Sequence, residues 1–313
     1  MTDAGPRAPG RGPVVIATVS LLAATLFWAG NYVVGAAAVA ALDPISLVFL
    51  RWAFAALPLV AVAQLVERPR WREVLRAWPW LLALTATGLL GYTLLLYTAL
   101  QFTDPFNASL INAFNPALIS IAAVFFLRER LSATGVAGIV LALVGVLIVL
   151  SGGDPAALFR TGFGVGDLFM LGAITAWTAY TIVGRGTKGV PPITSTALQA
   201  VITVLLLTPV VLLTGGPTLP ATPDAWGALV FIGVFPSVLS YLLWNRALGE
   251  IPPARAGVFL NLITVFTALF TIVAGHPFTA AQIVGGVVVI GGVALANERA
   301  LRRRPAPPRT LGA

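Results

Sequence analysis

The chain has 313 residues, of which 58% are hydrophobic and only 10% charged, and its formal net charge is +8. A globular domain is typically about 45–50% apolar and about 25% charged, so this sequence has too few charges to cover a soluble surface. A cytosolic enzyme, a nucleic-acid binder and a disordered chain are thereby excluded.

In chain order, the apolar residues fall in ten blocks: 14–39, 45–66, 79–100, 107–127, 132–150, 167–186, 193–213, 225–245, 255–274 and 279–296. Each is close to the roughly 20 residues that cross about 30 Å of hydrocarbon as a helix. Barrel strands are the wrong length, and a lipid-exposed backbone must satisfy its own hydrogen bonds. Arg7 and Arg11 precede the first block as in a signal peptide, but its apolar run is too long for one and nine blocks follow. It reads as an uncleaved first helix. Pro44, Pro79, Pro105, Pro192 and Pro253 stand at or near span starts, where a missing N–H costs least. The expected fold is an all-α integral membrane protein of ten transmembrane helices.

Lys and Arg in the short loops set the orientation. With the N-terminus inside, alternate loops and both tails collect 17 of the 19 basic residues on the cytoplasmic side. Arg160 alone falls in an outer loop, and Arg51 alone lies within a span. Both termini are therefore expected in the cytoplasm, and the Ala/Gly/Pro/Arg-rich composition with almost no Lys suggests a bacterial inner membrane. The basic C-terminal tail reads as a topology signal that touches anionic lipid, not as a nucleic-acid site. The chain has no Cys, which removes disulfides and thiol chemistry. Its one histidine, His276, is assigned to an outer loop. Neither a cofactor nor a metal is expected.

Sliding the chain against itself by about 148 residues brings Trp28 onto Trp177, Gly35 onto Gly184, Pro44-Ile45 onto Pro192-Ile193 and Tyr92 onto Tyr241. Gly145-Val146 meets Gly292-Val293 with a slip of one. The implied organisation is a cytoplasmic tail (1–13), a first five-helix repeat (14–150), an extracytoplasmic linker (151–166), a second five-helix repeat (167–296) and a basic tail (297–313). Five is odd, so the second repeat enters the membrane from the opposite side. Inverted repeats of this kind mark transporters, whose substrate site lies near the midplane between the halves.

Several motifs point to a family. They are Phe27-Trp28 with Asn31, Leu50-Arg51-Trp52, Asn115-Pro116-Ala117, the run Phe126-Leu127-Arg128-Glu129-Arg130-Leu131-Ser132, and Gly145-Val146. With the 5+5 inverted repeat, they resemble the drug/metabolite transporter superfamily. Within it the resemblance is to EamA-type ten-helix exporters, closest to bacterial aromatic amino-acid exporters, and it covers about residues 14–297. Gly275-His276-Pro277-Phe278-Thr279 departs from the Gly-Glu-x-Leu-Thr junction expected there. The resemblance implies export and an amino-acid class of substrate.

Helical spacing puts Trp28, Asn31, Tyr32 and Gly35 on one face of the first span, and Trp177, Tyr180, Thr181 and Gly184 on the equivalent face of the sixth. Tyr92 and Tyr97 in the third span, Asn112 and Asn115 in the fourth, and Ser237, Tyr241 and Trp244 in the eighth add further polar aromatic character. Asn261 and Thr264 add to it in the ninth. The expected substrate-binding set is Trp28, Asn31, Tyr32, Tyr92, Asn112, Asn115, Trp177, Tyr180, Tyr241, Trp244 and Asn261. Polar residues at membrane depth face either a cavity or a neighbouring helix as interhelical glue, and the sequence leaves both open. Arg51 is either a carboxylate contact, a structural partner or a snorkelling side chain near the outer end of its helix. Pro116 and Pro236 are candidate hinges. Trp52, Trp71, Trp78, Trp80 and Trp226 read as interfacial anchors, and Gly285-Gly286 with Gly291-Gly292 as close helix packing.

No span interior holds Asp or Glu; Asp167 sits at the mouth of the sixth. A proton relay normally places a carboxylate at depth, so the expectation is flux of a neutral or zwitterionic solute, either passive or coupled without a buried carboxylate. The expected partners are a small-molecule substrate and the lipid bilayer, with the chain a monomer. A flat cationic drug held by cation–π attraction is the alternative substrate. An intramembrane enzyme and a membrane scaffold are more distant readings.

Overall fold

The computed structural model describes residues 11–128, 133–154, 156, 164–184, 189–248, 250–251, 256, 259–275 and 278–296. His276, Pro253, Arg7, Arg130, Arg160, Arg185, Lys188, Arg255 and every position from 297 onward lie outside them. Among the described residues there are helices and no strands.

We label the principal helices in chain order: α1 (Arg11–Ala38), α2 (Pro44–Glu67), α3 (Trp78–Ala99), α4 (Pro105–Leu127), α5 (Ala133–Leu150), α6 (Val165–Gly184), α7 (Pro192–Leu213), α8 (Pro223–Leu248), α9 (Asn261–Val273) and α10 (Ala280–Ala296). Seven of these are long and apolar enough to span a membrane, while α5, α9 and α10 are shorter apolar helices. The expected 255–274 span is described as a helix only from Asn261. A short helix, Trp71–Leu75, lies between α2 and α3, in the stretch expected to be a loop.

Local chemistry fixes the ends. Asp43, Asp104 and Thr222 accept from backbone N–H groups in the first turns of α2, α4 and α8, each just ahead of a helix-starting proline. Two carboxylates of the first half also tie to the second. Glu67, at the end of α2, accepts from Ile193 N, Thr194 N and Thr194 Oγ1 at 2.9, 2.7 and 2.6 Å, capping α7. At the other end of α2, Asp43 Oδ2 accepts from Thr218 Oγ1 at 2.8 Å, and Ser46 Oγ accepts from Thr218 N at 2.9 Å.

The helices α5 and α10 meet backbone to backbone. A Cβ added at Gly292 would lie 2.4 Å from Ala142 N, and one at Gly145 would lie 2.6 Å from Val289 N. Gly285 faces Val149 as tightly, and Gly286 packs on Leu110. Gly291 corrects the expectation for this stretch, since nothing lies within 4 Å of it.

Trp52 is a second correction. It is no interfacial anchor: it is fully buried and its indole N–H donates to the Leu89 carbonyl at 3.1 Å. Trp78, Trp80 and Trp226 are exposed, as interfacial rings must be.

Candidate substrate cavity

Three helices depart from ideal geometry near the centre. Helix α4 breaks at Phe114, and Pro116 opens its second segment, Asn115–Leu127. Helix α3 contains a π-helical stretch, Thr85–Tyr92, and α8 contains another, Phe235–Leu239. In α8 the cause is Pro236, which has no N–H for the Ile232 carbonyl; Ser237 Oγ donates to that carbonyl instead, at 2.6 Å. In α3, Gly91 admits the Ala86 carbonyl where a Cβ would sit 2.2 Å from it. Each π stretch leads into a tyrosine, Tyr92 or Tyr241, and π turns often accompany functional sites.

These tyrosines meet the tryptophans of the opposite half. Trp28 of α1 packs on Tyr241 of α8 at 5.6 Å between ring centroids, and Trp177 of α6 packs on Tyr92 of α3 at 5.1 Å. Under the sequence offset, Trp28 corresponds to Trp177 and Tyr92 to Tyr241, so the two pairs are equivalent.

Between them lies a cavity with about 80 Å³ of room for water centres, far above the roughly 10–15 Å³ that one water needs. Around it the structure brings Trp28, Asn31, Tyr32, Arg51, Tyr92, Asn112, Asn115, Pro116, Trp177, Tyr241 and Asn261. Two expected members stand one ring behind. Tyr180 packs on Trp177 at 4.9 Å, and Trp244 packs on Trp28 at 5.4 Å. Pro236 does not line the cavity either; its carbonyl accepts the Trp28 indole N–H at 3.1 Å and so holds that ring. Thr264 is interhelical glue, donating to the Ser109 carbonyl of α4 at 2.9 Å.

The polar wall is a hydrogen-bonded lattice. Tyr32 and Tyr92 share a hydroxyl contact at 3.0 Å, and Tyr92 donates to Asn112 Oδ1 at 3.3 Å. Thr178 of α6 donates to Asn115 Oδ1 at 3.2 Å, joining the halves. Arg51 does not snorkel. It is 3% exposed, donating from Nε to Ser237 Oγ at 2.9 Å and from Nη1 to Tyr97 OH at 2.7 Å. Tyr97 OH in turn donates to Asn31 Oδ1 at 2.7 Å. Gly35 explains how Tyr97 reaches this point, because a Cβ there would lie 2.9 Å from the tyrosine ring. Sequence reading missed the apolar lining residues Leu96, Ile119, Leu260 and Ile263. Their types are those of any membrane helix and carry no signal.

The sequence profile of the EamA-like transporter family matches residues 15–151 and again 164–297. The chain belongs to the EamA-like transporter family. An uncharacterized transporter, YyaM, of Bacillus subtilis (strain 168) is 34% identical over 213 residues, 67% of this chain and 70% of that protein. An uncharacterized transporter of Archaeoglobus fulgidus is 29% identical over 290 residues, 89% of this chain and 96% of that one. The aromatic amino acid exporter YddG of Ancylobacter novellus is 25% identical over 223 residues, covering 69% of this chain and 75% of that protein. A solved crystal structure at 23% identity superposes with a TM-score of 0.66, covering 91% of this chain and 99% of that one, and shows the shared fold. This EamA-like protein is thus a multi-pass, all-α membrane transporter.

Proposed function

We propose that this EamA-like transporter exports small neutral or zwitterionic metabolites, above all amino acids with aromatic or other apolar side chains. The observation that carries the reading is the cavity between the two equivalent aromatic pairs, Trp28–Tyr241 and Trp177–Tyr92. Each pair takes one ring from each half, so a solute between them touches both. Flat rings offer edge and face contacts to an apolar body, and the asparagines offer amide donors and acceptors.

In this reading the two five-helix repeats rock about the cavity and expose it to either side in turn. The double profile match supports that division, and the 17-of-19 bias of basic residues supports placing both termini in the cytoplasm. Export rests on the likeness to the aromatic amino acid exporter. Cationic drugs suit the site less well, because Arg51 already places a positive charge on the cavity wall and, among the described residues, no Asp or Glu lines it.

The test is counterflow of radiolabelled phenylalanine and leucine in liposomes holding the purified protein. Counterflow is expected without a pH gradient, and Trp177→Ala or Tyr241→Ala should abolish it while membrane insertion stays normal. Normal flux in both variants would remove this site. Flux that requires a gradient would mean a proton site that the acid-free lining does not reveal.

A further inference from the structure

Arg51 carries a charge that no carboxylate meets among the described residues, where the sole ion pair is the exposed Arg70–Glu73 contact. A guanidinium has five N–H groups in a planar fork. Here two are committed, both to neutral oxygens, and Nη2 donates to no described protein atom. The ring faces beside it belong to Trp52, 4.7 Å from the guanidinium carbon, and Tyr97, 5.5 Å away. A buried charge left without a counter-ion is costly, so a site of this kind favours an anion that completes the fork.

Asn261 of α9 lines the same cavity as Arg51, and its amide adds neutral polar surface there. The charge is also one-sided. The offset that aligns Pro44 with Pro192 places Gln199 opposite Arg51, so the second repeat has a neutral side chain where the first has a cation.

We propose that Arg51 is the carboxylate-recognition residue of this transporter. Resting on the export reading above, this defines the substrate class as carboxylates with an apolar body, and it excludes amines that lack a carboxylate. The solute's carboxylate docks on Nη2 and the free proton of Nη1, and its body lies between the aromatic pairs.

Binding is read from the fluorescence of Trp28 and Trp177 and from thermal stabilisation of the purified protein. The probes are L-phenylalanine, 3-phenylpropionate, which lacks the amine, and L-phenylalaninamide, which lacks the carboxylate. Phenylalanine should bind at least about tenfold more tightly than its amide, the ratio expected for one charge-assisted hydrogen bond. That gap should close in Arg51→Gln and partly return in Arg51→Lys. An amide that binds as well as phenylalanine to the unaltered protein overturns the proposal, whether or not the variants fold. So does a gap that persists in a folded Arg51→Gln, or silence from all three probes. Tight binding of both carboxylates without amino-acid counterflow would sustain the carboxylate site and defeat the amino-acid reading.

Discussion

Ser237 Oγ donates to the carbonyl that Pro236 leaves orphaned and accepts from Arg51 Nε, so one hydroxyl serves both a bent helix and a buried charge. Ser237→Ala leaves Ile232 O and Arg51 Nε unpaired together. We expect it to lower stability by about 1–2 kcal/mol, read from unfolding in mixed micelles, with no change in helix content. Asp43 gives a pH-dependent counterpart outside the membrane. Partial burial pushes its carboxyl up, but the hydrogen bonds from Ser46, Thr218 and the Ile45 backbone outweigh this and hold it below the usual carboxylate value. A depressed folded-state pKa stabilises above the unfolded value of about 3.9 and loses that contribution as pH falls through the folded value. The stability advantage of the unaltered protein over Asp43→Asn should therefore shrink as the pH drops below about 4. At this scale the sequence was only half legible. Trp28, Asn31 and Tyr32 share a face by helical spacing alone. Trp52 looks like any interfacial tryptophan until its partner, Leu89 O, is seen in the π stretch of another helix. The same holds for Arg51, whose three resting places differ only in which neighbours it meets.

The close approach of α5 and α10 depends on individual glycines of both helices, and neighbours in sequence should answer oppositely. At Gly292 a Cβ would lie 2.4 Å from the Ala142 backbone nitrogen, and backbone cannot rotate away. Gly292→Ala should then destabilise by about 1–3 kcal/mol as the helices are forced apart. At Gly291 nothing lies within 4 Å, so Gly291→Ala should be neutral or stabilise by up to about 1 kcal/mol through backbone entropy. Unfolding in mixed micelles separates the two, and equal losses would contradict the packing. The sequence shows a Gly-Gly pair but not which member faces the partner. Helix irregularity is harder still to foresee. Pro236 announces a kink, whereas the π stretch of α3 has no proline and rests on Gly91 and the Ala86 carbonyl. Apolar blocks locate helices well because their length is set by the bilayer; the turns within a block leave no mark on hydropathy.

For the whole molecule, the sequence offset says which residues are equivalent but not which helices touch. Trp28 matches Trp177, yet each packs on the tyrosine of the other half. The contacts of α2 show what this interleaving does to movement. This first-half helix is tied to the second half at both ends, by Glu67 on α7 and by Asp43 and Ser46 on Thr218. If the two repeats rock as units about the cavity, each tie must open in one of the two access states. Short bifunctional thiol linkers test this, and the chain's lack of cysteine makes the background clean. One pair, Glu67→Cys with Thr194→Cys, locks the first end; Ser46→Cys with Thr218→Cys locks the other. Either lock should stop counterflow, with flux returning on reduction, while binding of solute in the cavity survives. Full flux through both locked forms would show that α2 and α7 travel together. The moving bodies would then be interleaved bundles rather than the sequence repeats, and the hinges would belong at Pro116 and Pro236, where α4 and α8 already bend.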